Sequence, residues 1–585
     1  MSDVLLSEAD MNFLVFDWLK LEEHLEGTDF DRDTAEAYFE LSRKLAAERF
    51  LPHYKKADEI EPRLEDGRVK VLPEIGDALA EFRELGLFGA NFSEDLGGMG
   101  LPQLVTSASY AWFAAANGSS VGYTMLTGAN ARLIAAFGSD KQIDTFARPQ
   151  IAGEWFGTMC LSEPQAGSGL GDVRTVARHD GEDELGQRYK LTGNKMWISG
   201  GDQDISDNIV HLVLAKIPDE SGKLPEGTKG ISLFIVPRTL PDGTTNDVAV
   251  AGLNHKMGNR GTSNCLLNFG ENGGATGWIV GEPGHGLRQM FMMMNEARIA
   301  VGFGAAALAC RGYLLAANYA RERLQGRAPG KADGPPIAII EHADVRRMLL
   351  VARSYAEGSM ALCLLSSALV DNESDPEDAA LLELLTPVTK TFPSEYGLKA
   401  NDLAIQVHGG YGYTRDFDVE QLYRDNRLNP IHEGTTGIQA ADLLGRKVLR
   451  GGAGLQVLQK RVAATVGAAR EIDGLREEAE AVEAAIQLVS ETIMAIASRP
   501  PAEMLDNAAS FMSGFSLAVV AWIWLDQAVT VAGLGNDHSA SDVFRKGKVA
   551  TARYFIWHEL PHAEPFLAQA ASDKDTIMAL EAEAF

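Results

Sequence analysis

The sequence predicts a mainly helical protein with a β domain at its centre and a further helical module at its C-terminal end. In residues 35–154 apolar side chains return mostly at three- and four-residue intervals, the spacing that gathers them on one face of a helix, and residues 282–450 open with an Ala-rich stretch almost free of helix breakers. Between these regions, residues 155–281 change to short alternating or continuous apolar runs separated by Gly, Pro and Asp clusters, the pattern of strands and turns. A GGAG segment at 451–454 then precedes a last helical region, 451–585, and residues 1–34 form an N-terminal extension.

In the first helical region Leu41, Leu45 and Phe50, then Ile75, Leu79, Phe82 and Leu85, mark the apolar face. NFSEDLGGMGLP interrupts it, with Gly97, Gly98 and Gly100 supplying a loop before a helix around Val105 to Ala116 and a second helical stretch. The strand candidates are YKLTGNKMWISG, NIVHLVLAKI, GISLFIVP and Cys265 to Phe269, the last following MGNRGTSN. Helix resumes over Met290 to Gln325, where Gly302, Gly304 and Gly312 would let helices approach closely. A Gly/Pro turn, Arg327 to Pro336, precedes a helix starting near Glu341 with His342, Val345 and Leu349. Near the C-terminus Val482, Ile486, Val489, Ile493 and Ile496 repeat at helical spacing until Pro500 and Pro501 stop the run.

Composition narrows the function. A chain of 585 residues suggests about four domains at ~150 residues each. With 81 acidic against 53 basic residues, the net charge of -28 repels nucleic acid and anionic membrane, so any anionic ligand must be held by local basic and backbone groups. Cys160, Cys265, Cys310 and Cys363 are scattered without Cys-x-x-Cys spacing, which argues against a disulfide framework and a zinc site; no metal is expected, and the cytoplasm fits. MSDVLLSEADMNFLVFDWLK has no basic region ahead of an apolar stretch and reads as neither signal nor transit peptide. The most apolar stretch, Phe515 to Gly535, is broken by Asp526 and Gln527 and reads as a buried helix rather than a membrane span.

The chemistry concentrates in QVHGGYGYTRDFDVEQLYRDNRLNPIHEGTTGIQAADLLGRKV, residues 406–448. A glycine turn, Gly409, Gly410 and Gly412, sits beside aromatic residues, and an acid, Glu433, is followed by Gly434 and Thr435. Glycines let backbone amides approach a ligand closely, a usual device for phosphates, although a glycine cluster alone is more often only a turn. Three further segments decide between the two: MCLSEPQAGSGLGDVRTVA with KMWISG, then MGNRGTSNCLLNF, then GEPGHGL through Asn295 and Arg298 to RERLQGR. In order and separation these four sites resemble the acyl-CoA dehydrogenase family across roughly residues 35 to 450.

That resemblance implies an α domain, a β-barrel domain and a four-helix domain, with FAD extended between the second and third and its adenosine end reaching a neighbouring subunit, hence a homodimer or tetramer. Met159, Leu161 and Ser162 would border the isoalloxazine and ribityl chain, with Trp197 and Ser199 on the other strand. Arg323 and Gln325, with Gln406, Gly409 and Gly410 of the partner's glycine turn, would hold the pyrophosphate and adenine end, and Thr435 would complete the FAD contacts. Taken alone, Trp197 reads as a core aromatic and Arg323 as a solvated helix face. Ser168, Asn295, Arg298 and Gly434 match positions that contact the acyl-CoA.

By the same resemblance the reaction is α,β-dehydrogenation of an acyl-CoA thioester to the trans-2-enoyl-CoA, with hydride passing to flavin N5 and electrons then to electron-transfer flavoprotein. Glu433 would be the base that removes the α-proton, a role that needs a carboxylate pKa raised toward working pH by burial. The thioester carbonyl would accept from the base residue's own N–H and a ribityl hydroxyl. Some members carry the base immediately before the arginine at 298; here that residue is Ala297, and Glu296, one position away, reads as a helix-surface charge.

His432 stands where tyrosine is common, and Gly437 where smaller members often carry a flavin-bonding glutamine, so the pocket's shape is expected to differ. The N-terminal extension and the roughly 135 residues after Arg450 point to an extended subgroup, and the whole-chain length, the HEGTTGIQAADLLGRKV form and the C-terminal helical module resemble the 3-methylmercaptopropionyl-CoA dehydrogenase group, which also contains saturated fatty acyl-CoA dehydrogenases. The substrate is then 3-methylthiopropanoyl-CoA or a saturated fatty acyl-CoA. Two alternatives stay open at this point: an acyl-CoA oxidase using oxygen, and a non-catalytic relative that has kept the flavin.

Overall fold

The computed structural model describes residues 5–535, 537–574 and 577–585 and divides into two compact units. One unit comprises residues 37–102 and 112–300, the other residues 1–36, 103–111 and 301–585.

The first unit joins a helical layer to the β domain. Its long helix Gln103–Phe137, which begins in the other unit, is kinked at Asn117, where φ is -162° and ψ is 89°. The buried Asn117 side chain donates to the Phe50 carbonyl at 3.2 Å, and the rings of Phe50, Phe82 and Phe113 pack edge to face with one another. A short hairpin, β1 (Arg63–Glu65) and β2 (Arg68–Lys70), lies inside the region whose periodicity predicts helix. Its turn is Asp66-Gly67, both at positive φ, the tight-turn dipeptide, and buried Asp202 accepts from the Val69 N–H at 2.9 Å.

The β domain contains β3 (Trp155–Cys160), β4 (Val176–Asp183), β5 (Gly186–Ser199), β6 (Asn208–Lys216), β7 (Ile231–Pro237), β8 (Val248–Leu253), β9 (Asn264–Phe269) and β10 (Ala275–Ile279). The order is β10-β7-β6-β4-β5-β9-β8; β3 adds to β6 in parallel, and β10 also pairs with β5, so five strands close into a ring. Strands β6 and β7 are buried at every residue, which is why NIVHLVLAK and ISLFIVP read as continuous apolar runs rather than alternating ones.

The second unit is helical. Helices Gly286–Glu322 (from Val301 onward), Ala343–Asp371 and Pro376–His408 form its centre. A Cβ at Gly302 would lie 2.2 Å from the Thr389 carbonyl, and one at Gly312 2.5 Å from the Asn401 side chain, so both glycines permit close helix contact; Gly304 faces no such neighbour. Pro393 cannot donate to that Thr389 carbonyl, yet the helix Pro376–His408 continues through Pro387 and Pro393.

The C-terminal module packs around Ala508–Gly533, which lies against Thr436–Ala441 among other helices. Asp526, the acid inside its apolar stretch, accepts from Trp18 Nε1 at 2.8 Å and Thr465 Oγ1 at 2.7 Å. The N-terminal extension is tied to the same module by Trp18, by His538 to Asp17 at 2.9 Å, and by buried Lys548, which pairs with Asp10 and, at 3.1 Å, with Glu357. Among the described residues three helices, Gly286–Glu322, Ala343–Asp371 and Ala508–Gly533, are long and apolar enough to cross a membrane, and the apolar stretch of each is mostly buried within the protein.

Candidate active site

The predicted residues fall into separate groups along the chain, each built by a local device. On the β domain, Met159 sits in β3 opposite Leu212, and Leu161 and Ser162 follow directly, all half-buried. Two residues of β5, Met196 and Trp197, face one residue of β9 at a bulge between Lys195 and Ile198. The bulge turns Trp197 out of the sheet with φ 64° and leaves the residue 59% exposed, which removes the core-aromatic reading. Left-handed backbone at a bulky residue costs on the order of 1–3 kcal/mol and gathers at functional positions. Ser199 accepts from Asn264 Nδ2 at 3.2 Å, and Ser168 lies on an exposed loop.

A buried ion pair, which the sequence did not single out, cross-ties the two strands. Lys195 Nζ donates to Glu163 Oε1 at 2.9 Å and to the Leu161 carbonyl at 3.0 Å, while the Met196 N–H donates to the Ser162 carbonyl at 3.0 Å. Glu163 also accepts from the Thr175 hydroxyl at 2.6 Å and from the backbone of Arg174 and Thr175. Burial opposes its ionisation, but Lys195, Thr175 and Arg174 outweigh that and hold its pKa down at about 2. Burial also pulls the Lys195 ammonium below its ordinary value, against the opposing field of Glu163. Both signals lie within the quoted motifs, as charged residues in strands and turns that otherwise bury apolar side chains.

On the helix Gly286–Glu322, Arg298 is 4% exposed and its Nη1 donates to Asn295 Oδ1 at 3.3 Å. Glu296 is no free surface charge: Arg132 Nε donates to both its oxygens at 3.2 Å, and the pair is partly buried.

Arg323, Gln325, Gly409 and Gly410 line one pocket of about 500 Å³ with Tyr319 and Tyr411, all on a single chain. The chain leaves the helix at Glu322, and Leu324 forms an antiparallel bridge with Ala338, so Arg323 and Gln325 alternate with Leu324 as in a strand. Gly409 ends the helix Pro376–His408 at φ 61° and ψ -136°, which favours glycine, and a Cβ at Gly409 or Gly410 would meet nothing within 4 Å. Tyr319 stacks on His408 at 4.4 Å, and the Arg323 guanidinium stands 5.9 Å from the Tyr411 ring centre. Gln406 is exposed, outside the lining, and its carbonyl accepts the Gly409 N–H. An aromatic wall, a guanidinium and side-chain-free backbone suit a nucleotide pyrophosphate.

Glu433 lies on a short loop and, like Trp197, is a non-glycine residue at positive φ, 51°. It is half-buried, and Gly434 follows at φ 88°. Thr435 caps the helix Thr436–Ala441 by accepting the Ile438 N–H at 3.4 Å. Before the loop runs a buried amide chain: Asn426 Nδ2 donates to Asn401 Oδ1 at 2.6 Å, Asn429 Nδ2 to Asn426 Oδ1 at 2.9 Å, and His432 Nε2 lies 3.0 Å from Asn429 Oδ1. Burial and then the charge of Lys390 push the His432 pKa down to about 3. His432 therefore contributes stability above its ordinary value near 6.5 that is lost as pH falls from there toward 3.

Comparison with known proteins places the chain among oxidoreductases that act on CH–CH bonds of acyl-CoA thioesters. Four family models match: the acyl-CoA dehydrogenase N-terminal domain over 32–154, middle domain over 158–271 and C-terminal domain over 284–448, and the acetyl-CoA dehydrogenase C-terminal-like domain over 458–581. The chain belongs to the acyl-CoA dehydrogenase family, whose cofactor is FAD. It is 37% identical over 561 residues to the 3-methylmercaptopropionyl-CoA dehydrogenase of Ruegeria pomeroyi, covering 92% of each chain. It is 32% identical over 584 residues, 94% of each chain, to a butyryl-CoA dehydrogenase of Syntrophomonas wolfei. Among solved structures, Caenorhabditis elegans ACDH-11 in complex with C11-CoA shares the fold, with TM-score 0.79 and 20% identity over 96% of this chain and 91% of that one.

Proposed function

We propose that this enzyme dehydrogenates 3-methylthiopropanoyl-CoA or a saturated fatty acyl-CoA to the trans-2-enoyl-CoA, with Glu433 as the base, and passes electrons to an electron-transfer flavoprotein. The observation that carries the reading is Glu433 itself, an acid held in left-handed backbone directly before Gly434. Bound FAD supplies the acceptor for the β-hydrogen and its electron pair. Met159, Leu161, Ser162, Trp197 and Ser199 would bound its isoalloxazine and ribityl portion, and the Arg323 pocket its pyrophosphate and adenine end. Because Arg323, Gln325, Gly409 and Gly410 form one wall of one chain, they would act on that end together, and in a homodimer the whole wall would serve the partner's cofactor. Ser168, Asn295 and Arg298 would hold the CoA portion, and Thr435 and Gly434 would close the site beside Glu433.

The carboxylate of Glu433 takes the α-proton, and its own N–H would donate to the thioester oxygen as enolate charge grows. The likeness to the Ruegeria protein over nearly the whole chain supports the thioether substrate, and the likeness to the Syntrophomonas enzyme supports a short saturated one. The deciding experiment is anaerobic mixing of the yellow protein with butanoyl- through hexadecanoyl-CoA and 3-methylthiopropanoyl-CoA, following flavin absorbance. Bleaching by one thioester is expected and identifies the substrate; bleaching by none overturns the reading. Reoxidation by oxygen alone at a catalytic rate would make the enzyme an oxidase.

Two further outcomes follow from the groups above. Arg323→Ala removes a charge-assisted bond to phosphate and is expected to weaken FAD binding by about 1.5–3 kcal/mol, roughly ten- to 150-fold, read by titrating apoprotein with FAD. His432→Gln is expected to leave the acid limb of the pH–rate profile in place, because His432 is already neutral down to about 3 and that limb reports protonation of the base.

A further inference from the structure

The helix that follows the base carries a buried amide aimed back at it. Gln439, fully buried, donates from Nε2 to the backbone carbonyl of Glu433 at 3.0 Å. A carbonyl can only accept, so this contact fixes which end of the amide faces the loop. The same Nε2 lies 2.6 Å from where a Cβ on Gly434 would be, so the amide occupies the space a side chain at 434 would need. Gly434 is favoured by its own φ of 88°, and a side chain there would have to displace the Gln439 amide.

Gln439 is held on a rigid base. Its N–H donates to the Thr435 carbonyl at 3.0 Å, Thr435 caps the same helix, and the Thr436 hydroxyl donates to Glu395 Oε1 at 2.5 Å. From the other side the amide chain from Asn401 to His432 meets the loop. Fixing the Glu433 carbonyl fixes the plane of the 433–434 peptide and with it the ψ of Glu433. We propose that Gln439 is a positioning residue for the base: it holds Glu433 in its left-handed conformation and so aims both the carboxylate and the N–H of that residue. The inference rests on the reading of Glu433 as base.

The test compares Gln439→Met, which keeps length and loses the donor, with Gln439→Glu, which donates only when protonated. In Gln439→Met, kcat and the rate of α-proton exchange of a bleaching thioester in D2O should fall by about ten- to a hundredfold, as expected for a misplaced reacting group. FAD content, KM and thermal midpoint should stay close to wild type. Gln439→Glu should regain turnover on the acid side and lose it as the new carboxyl ionises, a limb absent from wild type and from Gln439→Met. Equal loss of FAD content and activity in both variants, without that limb, would make Gln439 merely structural and overturn the proposal. Wild-type kcat in Gln439→Met, with Glu433→Gln inactive, overturns it while leaving the base intact; full activity in Glu433→Gln overturns the base reading itself.

Discussion

Glu433→Gln should bind FAD as tightly as wild type, unfold at the same temperature, and bleach with an acyl-CoA about 10²- to 10⁴-fold more slowly. Glutamine matches glutamate in size and removes only the basic oxygen, so the loop keeps its conformation: the Glu433 carbonyl still accepts from Gln439, and Gly434 still allows that approach. The N–H that would meet the thioester oxygen also stays, so substrate should still bind, and the loss should fall on kcat more than on KM. Single-turnover flavin reduction under anaerobic conditions separates this step from product release, and α-proton exchange in D2O reports the proton transfer directly. Wild-type exchange in the variant would move the base elsewhere. Glu296 would be a poor substitute, since Arg132 already engages both its oxygens.

How much of this could be read in advance depends on the kind of interaction. The change from helix to strand and back is written in local spacing, because each element shows its buried face every 3.6 or every two residues. Asp526 was legible as a break in an apolar run, but its partners, Trp18 and Thr465, lie 508 and 61 residues away and carry no local signal. The hairpin at 63–70 was hidden because three-residue strands are too short to show alternation, although Asp66-Gly67 marks their turn. At the candidate site, motifs located Glu433, Trp197 and the glycine turn. What they could not show was backbone conformation and side-chain to backbone bonding: the positive φ at Glu433 and Trp197, and the Gln439 amide on a carbonyl that every residue possesses. Arg323 and Gly409 were each found by motif, but their sharing of one pocket on one chain is a tertiary fact.

The Glu163–Lys195 pair should produce the largest stability effect of any single side chain near the proposed flavin strands. Lys195→Met removes a fully buried ammonium and leaves the Glu163 carboxylate, on a side chain only 3% exposed, without its counter-ion, and breaking a buried pair in this way costs about 3–5 kcal/mol. Replacing both residues, as Glu163→Gln with Lys195→Met, should cost much less than the sum of the single changes, because no uncompensated charge remains. The pH dependence has a definite sign: with its folded pKa near 2 against an ordinary 4.5, Glu163 stabilises the native state above pH 4.5, and that contribution is lost as pH falls through 4.5 toward 2. Lys195 also donates to the Leu161 carbonyl and directly precedes Met196 and Trp197, so its loss should loosen both strands at once. The expected result is therefore a lower thermal midpoint accompanied by FAD release at a lower temperature, followed through flavin fluorescence in parallel with circular dichroism. A drop in midpoint with FAD retained to the end of unfolding would show that the pair stabilises the β domain without organising the proposed flavin edge.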